Sequence, residues 1–160
     1  MSHARSEYEE FKALAPDAYD TVLALGKIAA KAGIDKQLLE LIKLRASQIN
    51  GCAFCVQHHI LLGESLGISV DKLNLLVVWR EAPLFSLRER AALAWTEALT
   101  LLPGGVSDEV YAGARAAFSE KELLYLTSAI ASINVWNRFG AGYRWTPAAR
   151  QEAVAAAAAS

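Results

Sequence analysis

A chain of 160 residues fits one domain, and at that size roughly 68 to 70% of the unfolded surface can be buried, so no disulfide staple is needed for stability. Sixteen Lys and Arg against seventeen Asp and Glu leave a formal charge of -1 and a pI near 6.3, without the basic footprint that a nucleic-acid partner demands. The hydrophobic fraction of 54% is generous for a small domain and points to an oligomer whose interface absorbs the excess.

The opening "MSHARSEYEEFKALAP" has no apolar core of the signal-peptide kind, and the run "LNLLVVW" is too short to cross a bilayer. The expectation is a cytoplasmic protein with no membrane partner. In that reducing compartment a pair of cysteines reads as metal ligands or redox groups before it reads as a permanent bridge.

Apolar residues recur at helical spacing nearly everywhere and strict alternation is absent, which predicts an all-α protein. "APDAYDTVLALGKIAAKAG" opens at Pro16 and Asp17 and stops at Gly33, and "IDKQLLELIKLRASQIN" has Asp35 as its cap and Gly51 as its stop. A third helix begins around Cys52 and ends near Gly67; a shorter one runs from Ser69 to about Trp79 and leads into the turn "REAPLFS". The next spans about Leu87 to Leu101 and is closed by "PGG". Ser107 and Ser119 then cap "DEVYAGARAAF" and the long "EKELLYLTSAIASINVWNRFG". No linker divides the chain, so residues 1–160 read as a single domain with its core at about 16–145 and an alanine-rich tail at 146–160. "LLELIKLRASQIN" and "ELLYLTSAIASIN" echo one another and both end in Ile-Asn, which fits a duplicated helical unit and fits chance equally well.

"NGCAFCVQHH", Asn50 to His59, holds both cysteines and two of the three histidines. On a helix Cys52, Cys55 and His59 fall at i, i+3 and i+7 and share a face, while His58 points elsewhere into solvent. The unpaired N–H groups of the first turn and the positive end of the helix dipole stabilise a thiolate there. Spacing of this kind lowers one thiol's pKa and lets the other close a disulfide. Glu40 lies eleven residues before Gly51 and His59 eight after it, so on antiparallel helices their levels differ by only about 4 to 5 Å. A carboxylate that holds an imidazole, itself facing a thiol, is the orienter, base and nucleophile arrangement that activates cysteine. Zinc held by Cys52, Cys55 and His59 with Glu40 or water is the metal alternative, although no second ligand pair accompanies them. Glu40 has a plainer alternative in a salt bridge to Lys36 or Lys43. Trp79, Trp95, Trp136 and Trp145 read as core or interface aromatics, and Arg80 with Asn134, Trp136 and Asn137 either lines a pocket mouth or satisfies buried helix ends.

Glu40, eleven residues, then Cys52-x-x-Cys55-x-x-x-His59 resembles the motif of the AhpD-like (alkylhydroperoxidase D-like) branch of the carboxymuconolactone decarboxylase superfamily. "LIKLRASQINGCAFC", "WREAPLF", "RERAALAWTEALT" and "FSEKELLYLTSAIASINVWNRF" extend the resemblance from about Asp35 to Phe139. It implies an AhpD-like helical bundle, a homotrimer or homohexamer, that reduces hydroperoxides in antioxidant defence with a redox-active disulfide and neither organic cofactor nor metal. By this resemblance Cys55 attacks the peroxide, Cys52 resolves, His59 is the base and Glu40 its orienter, with a lipoyl or thioredoxin-like protein as dithiol reductant. The family's namesakes carry a histidine directly before the second cysteine; Phe54 stands here, which implies a shorter proton relay. The contrasting readings are a redox-sensing or weakly active binding module of the same fold and, behind it, a lactone decarboxylase, whose chemistry uses no cysteine pair.

Overall fold

The computed structural model describes residues 4–150; the alanine-rich tail expected at 146–160 falls, from residue 151 on, outside the described residues. Among these residues eight α-helices follow one another: α1 (Tyr8–Leu14), α2 (Pro16–Lys31), α3 (Lys36–Ile49), α4 (Ala53–Ser65), α5 (Val70–Leu75), α6 (Leu87–Thr100), α7 (Asp108–Ala117) and α8 (Glu120–Tyr143). The all-α reading is therefore correct. The predicted caps hold as well: Asp35, Ser107 and Ser119 each accept a backbone N–H from the first turn of the helix that follows. Ser119 and Glu122 close a reciprocal capping box, as do Ser86 and Glu89.

Three boundaries differ from expectation. The helix predicted for Ser69 to Trp79 is α-helical only to Leu75, and a tighter 3₁₀ turn covers Leu76–Val78. Val77 and Val78 are β-branched and lose side-chain freedom in an α-helix, while the tighter turn carries Trp79 inward, where its indole N–H donates to Glu97 at 2.8 Å. Helix α8 passes through Gly140 and ends three residues later, where Arg144 takes the left-handed conformation at φ 56°. Helix α1 lies before the core expected at 16–145 and was not among the predicted elements.

Helix α3 is buried along most of its length, and its polar residues Glu40 and Ser47 are buried with the leucines because each has a hydrogen-bond partner. Its Leu38, Leu39 and Ile42 pack with Leu126 and Ile130 of α8, whereas Leu41 and Leu44 face Leu73, Leu76, Trp79 and Phe85 on the α5 side. The long α8 packs on α2, α3, α4, α6 and α7. The two Ile-Asn echoes meet: Asn50 donates to Asn134 at 3.0 Å and to Asn137 at 2.9 Å, and Asn137 donates to Ser47 at 3.0 Å. These amides tie the end of α3 to α8, so of the proposed pocket-mouth cluster they take the helix-end role. Among the described residues no helix is long and apolar enough to cross a membrane.

Candidate active site

Gly51 ends α3 at φ 66°, a conformation open to glycine, and the chain turns so that Cys52 caps α4. Cys52 thus sits just ahead of the first turn, where its Sγ accepts the backbone N–H of Cys55 at 3.2 Å. The two sulfurs are bonded to each other, with their Cα atoms 5.3 Å apart. Bonded sulfurs of this kind are the oxidised half of a dithiol couple, and the amide donor aimed at Cys52 is one that favours thiolate once the pair is reduced.

The antiparallel run of α3 and α4 brings Glu40 onto His59, with His59 Nδ1 and Glu40 Oε2 2.6 Å apart. The other carboxylate oxygen accepts from Lys43 Nζ at 3.1 Å, so the orienting contact and the plain salt bridge exist together. The four predicted residues are all buried: Cys52 is 0% exposed, Cys55 3%, Glu40 6% and His59 7%. Burial pushes the Glu40 carboxyl up, but the His59 hydrogen bond and charge, then Lys43, more than offset it and bring the value down to about 2. Glu40 is therefore a carboxylate at any physiological pH.

A cavity of about 330 Å³ opens beside this pair and is lined by Cys55 and His59, with Cys52 outside the lining. Tyr8, Phe54, Trp136 and Trp145 form most of its aromatic wall. Tyr8 stacks on Phe54 at 5.3 Å between ring centres, meets Trp145 edge-on at 5.3 Å, and shares a 2.7 Å hydrogen bond with the Tyr19 hydroxyl. Helix α1 reaches this position because Thr146 donates to Glu7 at 3.0 and 2.8 Å and Trp145 donates to the Ser6 carbonyl at 3.0 Å. His58, expected to point away into solvent, is exposed yet lines the cavity too. The protein around its ring, with the charge of His59 adding to the effect, draws its pKa down to about 4 and leaves it neutral at pH 7. Trp136 lines the cavity, the pocket role left open for its cluster, and Trp145, read as a core or interface aromatic, is buried at 2% exposure and borders the same cavity. Arg80 does not share it, since it stacks on Trp79 at 4.2 Å and pairs with Glu97 at 2.6 Å.

Gly140, the last residue of the helical stretch predicted after Ser119, has a role that the sequence did not disclose. A Cβ there would stand 2.5 Å from Cys52 Sγ and 3.0 Å from Cys55 Sγ, so glycine is what allows α8 to run across the sulfurs. Its place inside "NRFGAG" looks like a helix stop, and no sequence signal separates a stop from a close approach. Tyr8 and Lys27, which also lines the cavity, were missed because their distance from the cysteines along the chain conceals their distance in space. Among the described residues no group of three or more His, Cys, Asp or Glu side chains is arranged to hold a metal ion.

The model of the carboxymuconolactone decarboxylase family matches residues 16–98. An uncharacterised Bacillus subtilis protein, YdfG, is 35% identical over 139 residues, which span 86% of this chain and 92% of that one. A crystal structure of a protein of unknown function from Agrobacterium tumefaciens, named for AhpD antioxidant defence, superposes with a TM-score of 0.85 at 38% identity over 92% of this chain and 100% of that one. The debrominase Bmp8 shares the fold at a TM-score of 0.76 and 22% identity, covering 84% of this chain and 73% of its own. A family model that spans more than half the chain, joined to a relative aligned over most of both lengths, establishes that this protein belongs to the carboxymuconolactone decarboxylase family, in the AhpD-like superfamily.

Proposed function

We propose that the protein is a thiol peroxidase that reduces hydroperoxides with Cys55 and Cys52. The observation that carries this reading is the asymmetry of the pair: Cys55 borders a cavity that it shares with the Glu40-held imidazole of His59, and Cys52 is wholly buried behind it. The Cys55 thiolate attacks the terminal peroxide oxygen, the O–O bond breaks, and the alkoxide leaves as alcohol after taking a proton that His59 is placed to deliver. Cys55 is then a sulfenic acid. The Cys52 sulfur displaces its hydroxyl as water and the disulfide forms, so two electrons and two protons have moved from the dithiol to the peroxide. A protein dithiol, of lipoyl or thioredoxin-like chemistry, restores the pair by exchange.

The amide donor of α4 favours the thiolate at Cys52, whereas access favours Cys55. Access decides, because peroxide must meet the sulfur in line, and the resolving step uses the well-stabilised Cys52 thiolate. Assembly into a homotrimer or homohexamer is part of the same proposal and is supported by the exposed Val77, Val78, Leu84 and Leu87 around the α5 to α6 turn. A slow redox sensor is the contrasting reading, favoured by Phe54, which packs on Tyr8 where the family's namesakes carry a histidine. Stopped-flow mixing of the prereduced protein with a hydroperoxide separates the two. Thiol loss far faster than that of free cysteine supports the enzyme; a rate equal to free cysteine leaves the sensor.

A further inference from the structure

We propose that the cavity selects hydroperoxides with an apolar body and an anionic group, and that Lys27 at its edge recognises the anion. This rests on the thiol-peroxidase reading for the reacting end of the ligand and on the cavity itself for the rest.

At about 330 Å³ the space corresponds to about eleven waters at roughly 30 Å³ each, enough for a substituted benzene ring and far more than hydrogen peroxide requires. Leu23, Leu62 and Ile133 join the aromatic wall, so the body of a ligand meets carbon on most sides. Two lysines and two histidines interrupt that lining, and no carboxylate belongs to it. Lys43 is engaged by Glu40 at 3.1 Å, and His58 is neutral at pH 7. Lys27 is exposed, and none of the ion pairs among the described residues includes it. Its neighbours one turn away on α2 are Leu23 and Lys31, so its own helix supplies no acid there.

Cys55 and Lys27 therefore define two chemically different places on one apolar chamber. A ligand laid between them keeps its carboxylate partly hydrated against an ammonium while its peroxide oxygens face sulfur. Gly26 lines the same wall, and a Cβ there would lie 3.0 Å from Ser132 Oγ, so α2 and α8 meet closely beside Lys27 and give the ligand a firm floor.

The test compares 4-carboxycumene hydroperoxide with its methyl ester on the prereduced protein, in wild type, Lys27→Gln and Lys31→Gln, the last one turn along α2 and outside the lining. The acid should react about two- to fivefold faster than the ester in wild type, the range of an exposed ion pair. That ratio should fall towards one in Lys27→Gln and persist in Lys31→Gln. Equal rates for acid and ester, both far above free cysteine, overturn the anion recognition and leave the peroxidase reading standing. Rates no better than free cysteine overturn the peroxidase reading instead, and binding then decides the recognition: 4-isopropylbenzoate and its methyl ester are titrated against the fluorescence of Trp136 and Trp145. Tighter binding of the acid that Lys27→Gln abolishes supports the proposal, and equal binding ends it.

Discussion

Alanine at position 140 would place a methyl carbon 2.5 Å from Cys52 Sγ, 3.0 Å from Cys55 Sγ and 3.4 Å from a ring carbon of Trp145. Non-bonded carbon contacts are best at about 3.5 to 4.0 Å, so the first of these is short by roughly an ångström. Neither sulfur can swing away, because each is bonded to the other and Cys52 is held at the start of α4. Helix α8 must shift instead, and overpacking of this kind costs typically about 1 to 3 kcal/mol. Alanine's better helix propensity returns about 1 kcal/mol, which is too little to offset a clash at the upper part of that range. A contact as short as 2.5 Å puts the clash in that upper part, about 2 to 3 kcal/mol, so the expected net loss is about 1 to 2 kcal/mol, a fall in Tm of ~2 to 8 °C for a chain of this size. Gly113→Ala is the matched comparison, since nothing lies within 4 Å of its added methyl group and α7 should gain about 1 kcal/mol from propensity alone. Thermal unfolding followed by circular dichroism, on oxidised samples of both variants, reads the two effects with opposite sign. Reduction should shrink the Gly140→Ala penalty, because free thiols can rotate away from the methyl group. A Gly140→Ala protein that gains stability as Gly113→Ala does would refute the close approach of α8 to the sulfurs, and with it the account of why glycine stands there.

Cys55→Ser should abolish peroxide consumption, whereas Cys52→Ser should accumulate a sulfenic acid at Cys55 that dimedone labelling and mass spectrometry can locate; a label on Cys52 in the Cys55→Ser variant would reverse the roles. Glu40→Gln should slow thiol loss while the protein stays folded, and full activity in that variant would remove Glu40 from the orienting role. Glu40 is held near about 2 against its ordinary 4.5, so the carboxylate favours the folded state above pH 4.5 and that advantage fades as pH falls through about 2. Wild type should thus lose about 2 kcal/mol between neutrality and about pH 3 that Glu40→Gln does not lose, as read from urea midpoints at the two pH values. Asn137→Ala should cost about 2 kcal/mol or more in chemical denaturation, because Asn50 loses a buried acceptor and Ser47 a buried donor.

Much of the site was legible because its parts lie on two consecutive helices. A fixed rise per residue turns the count from Glu40 to Gly51 and on to His59 into a distance, and the 2.6 Å contact is where that arithmetic placed it. The caps at Asp35, Ser107 and Ser119 were legible for a similar reason, since each acts within three residues of itself. Helix α1 was harder. "YEEFKAL" spaces Tyr8, Phe11 and Leu14 three apart with acids at its start, yet seven residues form no stable helix alone, and none of them is fully buried. What orders α1 is its clamp to Trp145 and Thr146 and the stack of Phe11 on Phe139 at 4.4 Å, all more than a hundred residues away in sequence.

By itself, the order of residues determined an all-helical chain, most helix ends, and a carboxylate, an imidazole and two sulfurs within reach of one another, because those features depend on local geometry with a known period. Only the tertiary structure decided that Cys55 faces a cavity while Cys52 does not, that α8 needs glycine where it crosses the sulfurs, and that Lys27 and Tyr8 border the same chamber. These are contacts between α1, α2, α4 and α8, whose separations along the chain carry no period, so they come into being only when the helices pack.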